Sequence, residues 1–207
     1  MLHRLPELSY DFHELAAFIA PKEFQLNYFE IHKGYVENLN KALSKDISYQ
    51  QYSVADLMMK LKYLPEDLRY DVKKYGGMHF NYSLFWKILT PSSRGPMGTL
   101  KNAIRDTYHD FGVFKKEFTN IALDLNASDA WCWLLVQKGN VKIMKTYGHD
   151  CPISKDTYPV LCLKLWRISS LFVKQKQNLE YINGFWNFIN WEEAESRYLE
   201  GKRQIFI

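Results

Sequence analysis

Histidine and cysteine carry the most varied chemistry in this chain, because they bind metals and act as acids, bases or nucleophiles. The six histidines are spread along the sequence, at positions 3, 13, 32, 79, 109 and 149. No two stand three or four residues apart, the spacing that would place a zinc-binding pair on one helix face. Cys132 and Cys162 stand among large apolar residues, which predicts buried, unreactive thiols. Spacing alone therefore predicts neither a metal site nor a catalytic thiol.

Other chemical motifs are equally absent. The chain contains no GxGxxG fingerprint, no Walker A loop and no GxSxG elbow. The adjacent glycines Gly76 and Gly77 lie inside a helical pattern and lack the preceding strand that a phosphate loop requires. Basic pairs such as Lys73-Lys74 and Lys202-Arg203 are typical of a solvated surface, and they would suit RNA phosphates only if several converged on one side.

Composition predicts a folded protein that does not span a membrane. The chain has 207 residues, 47% of them hydrophobic and 16% aromatic, which is enough apolar surface for a sizeable core. No stretch approaches the roughly 20 uninterrupted apolar residues of a membrane helix. The formal net charge of +4 is only mildly basic, and the odd count of three cysteines favours a reducing compartment over a disulfide framework.

Hydrophobic periodicity predicts an α+β fold in two parts. Apolar residues recur every three or four positions after Pro21 and again around the Gly76-Gly77 pair, which predicts an antiparallel pair of long helices. The Pro-, Gly- and Ser-rich segment 90–98 is the clearest linker, and we place a domain boundary there, with an N-terminal arm and hairpin over 1–90 and a C-terminal lobe over 91–207. Two further helices, a small sheet of three short strands and C-terminal helices complete the second lobe. The first two strands are separated by Lys138-Gly139-Asn140, a hairpin signal.

Several phrases, in this order, resemble the iron/manganese superoxide dismutases. The phrases are LPELSYDF at 5–12, QLNYFEIHKGYVENLN at 25–40, GGMHFNYSLFWKILTP at 76–91, ASDAWCWLL at 127–135, HDCP at 149–152 and FWNFINWEEAESRYL at 185–199. The likeness covers nearly the whole chain. It implies a helical hairpin joined to a lobe with a three-stranded antiparallel sheet, as the periodicity also predicts.

The resemblance also implies where metal ligands would stand, and this chain departs from the family at all four positions. Asn27 and Tyr82 replace a histidine from each hairpin helix, Lys164 replaces an aspartate after the last strand, and Ile168 replaces a third histidine. Isoleucine has no lone pair to donate, and an ammonium about 4 Å from a divalent cation is repelled by several kcal/mol even at an effective dielectric of about 20. We expect no catalytic, cofactor-binding or metal-binding residue, and we expect Lys164 to be neutralised by a carboxylate or by solvent.

Positions next to the implied ligands are changed as well. The resemblance aligns Ile31 with a gateway histidine, His149 with a residue that tunes metal-bound solvent, and Arg167 with a glutamate that bridges to the partner subunit. Tyr35 keeps the family's active-site tyrosine, although packing between the hairpin helices explains it more simply. The family's symmetric dimer contact is therefore expected to be lost at Arg167.

The loss of ligands leads to an expected function without catalysis. Non-catalytic relatives of this family occur in mitochondrial small ribosomal subunits, so we expect a structural ribosomal protein of the mitochondrial matrix, with no cofactor. The expected partners are ribosomal proteins, limited ribosomal RNA phosphates and a second dismutase-like chain, with no membrane. The alternatives are a superoxide dismutase, or a subunit of one, with atypical metal ligation, or a structural subunit of another mitochondrial complex.

Overall fold

The first half of the chain is a pair of long helices that pack side by side. The computed structural model describes residues 2–125, 129–165 and 171–205. The first long helix is continuous through α1 (Pro21–Gln25), a π-helical segment (Leu26–His32) and α2 (Lys33–Leu43). The second runs through α4 (Glu66–Asp71), another π-helical segment (Val72–Gly76) and α5 (Gly77–Lys87). Between them lie 3₁₀ turns at Ile47–Gln51 and Leu61–Tyr63 and the short helix α3 (Val54–Met59).

The glycine pair lies where the second long helix passes the turn after the second strand of the C-terminal lobe. A Cβ atom added to Gly77 would stand 2.1 Å from the carbonyl oxygen of His149, a distance that no real Cβ contact shows. Gly77 is thus required by close packing of the backbones rather than by a sharp kink.

The C-terminal lobe combines helices with one antiparallel sheet, which confirms the α+β prediction. The strands are β1 (Ala130–Gln137), β2 (Asn140–Tyr147) and β3 (Thr157–Leu165), and the helices are α6 (Gly98–Tyr108), α7 (Phe111–Leu123), α8 (Leu171–Phe185) and α9 (Trp191–Ile205). The sheet has the order β2-β1-β3, and β1 pairs with both neighbours. None of the helices in the described ranges is long and apolar enough to cross a bilayer.

The sheet is deeply buried in its central strand β1 and in the edge strand β3. Every residue of β3 is buried, and so is every residue of β1 except its last, because α5 and α9 pack on β3 while α7 and α9 pack on β1. The edge strand β2 instead alternates between buried and exposed residues. The division of the chain into 1–90 and 91–207 stays a prediction.

Candidate functional site

Three of the four replaced ligand positions meet where the hairpin packs on the sheet. Asn27 comes from the first long helix, Tyr82 from the second and Lys164 from the end of β3. All three are at most 2% exposed. The Tyr82 hydroxyl donates to Asn27 Oδ1 at 3.0 Å, and the Lys164 Nζ lies 5.5 Å from the centre of the Tyr82 ring. Ile168, Arg167 and Trp166 lie outside the described residues.

Lys164 is neutralised by Asp129, as the sequence led us to expect. The Lys164 Nζ lies 2.5 Å from Asp129 Oδ1, and it sits 4.8 Å from the ring centre of Trp131. Burial lowers the pKa of the Lys164 amine, while the hydrogen bond and the charge of Asp129 oppose that shift. The lysine is 1% exposed, whereas the aspartate is 61% exposed, so the pair joins the buried centre to solvent.

Asn27 is held from both sides by hydrogen bonds. Its Nδ2 donates to the Glu23 carboxylate at 2.8 Å and to the Glu23 carbonyl at 2.9 Å, one helical turn earlier. Its Oδ1 accepts from Tyr82, which keeps its proton because burial raises the pKa of the phenol. Both ends of the Asn27 amide are therefore already engaged.

A second polar cluster lies behind Tyr82 and consists of His32, His79 and Trp86. Trp86 Nε1 donates to His32 Nδ1 at 3.1 Å, so the His32 proton is on Nε2, from which it donates to His79 Nδ1 at 2.8 Å. The Tyr82 ring stacks on His32 with centroids 5.3 Å apart. Burial, together with the charges of His3 and Lys87, lowers the pKa of His79 to about 3. Both imidazoles are neutral in the fold.

The remaining sequence-predicted positions lie around this centre. Tyr35 is half-buried, and its ring is 6.3 Å from that of Tyr82. Ile31 is 37% exposed, and the His149 carbonyl faces Gly77. Cys132 and Cys162 are buried, and burial raises the pKa of both thiols.

Sequence reasoning missed four contributors. Asp129 and Trp131 reach Lys164 because β1 pairs with β3 in a register that places Trp131 opposite Lys164. No sequence motif predicts that register. His32 and His79 come from different helices, so a search for histidines three or four residues apart in sequence cannot find them. The sequence offers only a weak indication that His32 and His79 are buried, namely that each stands in a predicted helix of the core.

The residues at these positions do not fit an iron or manganese ion. Such a metal needs imidazole and carboxylate donors with free lone pairs, but here the asparagine oxygen accepts from a phenol, the phenol stays protonated and the third position is an ammonium. Among the described residues, no group of three or more His, Cys, Asp or Glu side chains could hold a metal. A divalent cation in this centre would also be repelled by Lys164.

Comparison with known proteins nevertheless shows similarity to superoxide dismutases over nearly all of the chain. The models of the iron/manganese superoxide dismutase alpha-hairpin domain and C-terminal domain match residues 2–90 and 96–197. The "Superoxide dismutase [Mn]" of Listeria innocua is 37% identical over 199 residues, covering 96% of this chain and 98% of that protein. The "Superoxide dismutase [Mn/Fe]" of Methylomonas sp. is 36% identical over 200 residues, with the same coverage of both chains. That of Listeria ivanovii, also named for manganese, is 35% identical over 199 residues.

These relatives correct two expectations. The prediction of a mitochondrial ribosomal protein with a role in translation is contradicted, because relatives over 96% of the chain are named as dismutases. The prediction that the chain is not an enzyme is contradicted by the same relatives, which are named as enzymes. The resemblance itself is confirmed at the level of the family, since the two family models cover residues 2–90 and 96–197. The chain belongs to the iron/manganese superoxide dismutase family.

Proposed function

We propose that this chain is a subunit of a superoxide dismutase in which metal ligation departs from that of the named relatives. The observation that carries the proposal is the match to those relatives over 96% of this chain and 98% of theirs. Superoxide is an anion, and the formal net charge of +4 favours its approach to the protein surface.

The central site decides which kind of subunit we propose. Asn27, Tyr82 and Lys164 do not supply a donor set for iron or manganese, so we derive no redox step in this centre. We propose instead that the chain pairs with a second dismutase-like chain, which holds the metal with its own ligands. In this arrangement the present chain contributes the fold and the contact surface of the pair.

The experiment compares the protein isolated from its native source with the same chain produced alone. Dismutase activity and metal per chain are measured on both. We expect activity in the native particle, with less than one iron or manganese per chain, and neither activity nor bound metal in the chain alone.

Two other results would change the proposal. Activity with about one metal per chain from the chain alone would overturn the pairing and keep the dismutase function, with the metal bound by ligands other than those discussed. A native particle without dismutase activity would overturn the proposed function. The mitochondrial location stays a prediction that cell fractionation would check.

A further inference from the structure

Three groups of negative electrostatic potential converge on one point in the centre of the fold. The Asp129 carboxylate lies 2.5 Å from Lys164 Nζ, and the ring centres of Trp131 and Tyr82 lie 4.8 and 5.5 Å from the same atom. The face of an aromatic ring attracts a cation, and it does so more strongly where water is excluded. Lys164 is 1% exposed, so its ammonium meets the two rings in a largely desolvated environment, whereas the Asp129 carboxylate is 61% exposed.

The geometry around the cation is fixed by the backbone and not only by side chains. Trp131 is paired directly opposite Lys164 in the β1–β3 ladder. Asp129 stands just before β1 with a φ of 63°, and its carbonyl accepts the Gly148 N–H at 2.6 Å, which holds the carboxylate near the strand end. The lysine carbonyl accepts from the Tyr181 hydroxyl at 2.9 Å. The groups that receive the ammonium are therefore held on β1, on the residue just before it and on α5, while β3 supplies the lysine.

We propose that this position is an alkylammonium site, which the chain fills with its own Lys164 side chain. The described contacts suit a singly charged cation with an aliphatic stem, since they include one carboxylate and two ring faces. They do not suit a transition metal, which needs several imidazole and carboxylate donors, and no group of three or more such side chains occurs among the described residues. The inference does not depend on the proposed dismutase function.

The direct test replaces Lys164 by alanine and then supplies an alkylammonium ion in solution. Lys164→Ala leaves a cavity bounded by Asp129, Trp131 and Tyr82, and we expect it to lower the Tm. Ethylammonium chloride should then raise the Tm of the variant in a saturable way, and should leave the wild-type Tm unchanged. Sodium chloride at equal ionic strength and ethanol at equal concentration are the controls. A Tm that rises no more with ethylammonium than with sodium chloride would overturn the proposal.

A second set of variants decides the question if Lys164→Ala does not fold. Asp129→Asn leaves a buried ammonium without its carboxylate, and we expect a Tm loss of about 5–15 °C. Adding Lys164→Met removes the buried charge while keeping its length, so the double variant should regain most of that loss. Asp124→Asn is the matched control, because it breaks the exposed pair with Lys145 and should shift the Tm very little. An Asp129→Asn loss no larger than the control, or one that Lys164→Met does not relieve, would contradict the alkylammonium site.

Discussion

The buried histidine pair predicts that this protein loses stability in mild acid. The folded-state pKa of His79 is about 3, against an ordinary value of 6.5. Because the folded pKa is depressed, the associated stability is fully present above pH 6.5 and is lost as the pH falls from there towards 3. The pKa of His32 is lowered in the same direction by burial and by the charge of His79, so it adds to the effect.

The loss of unfolding free energy at pH 5 follows from the difference between that pH and the pKa of 6.5 in the unfolded chain. In the unfolded chain His79 is protonated below 6.5, whereas in the folded chain it stays neutral until the pH approaches its folded pKa of about 3. Each unit of pH below 6.5 then lowers the free energy of unfolding by about 1.4 kcal/mol, so His79 alone costs about 2 kcal/mol at pH 5. The cause of the lowered pKa is burial of the imidazole, together with the charges of His3 and Lys87, and a proton on His79 Nδ1 would also face the N–H of His32 at 2.8 Å.

The assay is denaturant unfolding at pH 7 and pH 5. Wild-type protein should lose at least about 2 kcal/mol of unfolding free energy between the two, and His79→Gln should lose clearly less, because glutamine does not titrate. His13→Gln is the control, since the side chain of His13 is 63% exposed, and this variant should follow the wild type. An equal loss in wild type and His79→Gln would refute the argument.

Three further substitutions probe the packing around the centre. Gly77→Ala should prevent folding or lower the Tm by more than 10 °C, because its Cβ would overlap the His149 carbonyl at 2.1 Å, and thermal melting checks this. Tyr82→Phe should cost about 1–3 kcal/mol in urea unfolding, because it leaves the buried Asn27 oxygen without its donor; an unchanged midpoint would mean that water replaces the hydroxyl. Glu195→Ala should lower the free energy of unfolding by about 1–2 kcal/mol, because this carboxylate accepts two backbone N–H groups at the start of α6, at 2.9 and 2.7 Å. Amide exchange at the start of α6 that is slower than in wild type would contradict this prediction.

The sequence predicted the elements of the fold better than their details. Pro21 begins the first long helix as expected, because proline is favoured in the first turn where its missing N–H costs nothing. The π-helical segment at Leu26–His32 was not predicted, since apolar spacing of three and four residues cannot report an inserted residue. That segment contains both Asn27 and His32, so details of the helix that the periodicity does not encode help to set the site.

The sequence predicted which type of group would neutralise Lys164, but not which residue would supply it. Desolvation makes an unpaired buried ammonium too costly, so a carboxylate near Lys164 could be expected from physics alone. The identity of Asp129 depends on the pairing of β1 with β3, which includes an irregularity between Leu134 and Leu135. Long-range register of this kind is set by tertiary packing and cannot be derived from one sequence.

The error about function has a physical explanation. Replaced ligands at Asn27, Tyr82 and Lys164 show only that this centre is unsuited to the metal, and they contain no information about a ribosome. The ribosomal expectation rested on resemblance to other non-catalytic proteins. Relatives matching 96% of the chain are named as dismutases, and they are the stronger guide to the biological setting.

The replaced residues act as a set, and this limits how the centre could be converted back. Asn27 accepts the Tyr82 hydroxyl, and the Tyr82 ring contributes to the surroundings of the Lys164 ammonium. Returning only Asn27 to histidine would replace the amide oxygen that accepts from Tyr82 and would leave the positive charge in place. A metal would then gain one donor and still face an ammonium that repels it by several kcal/mol at about 4 Å. The lysine must therefore be removed first, and Asp129, which lies at the edge of the centre, would then place a carboxylate beside the vacated position.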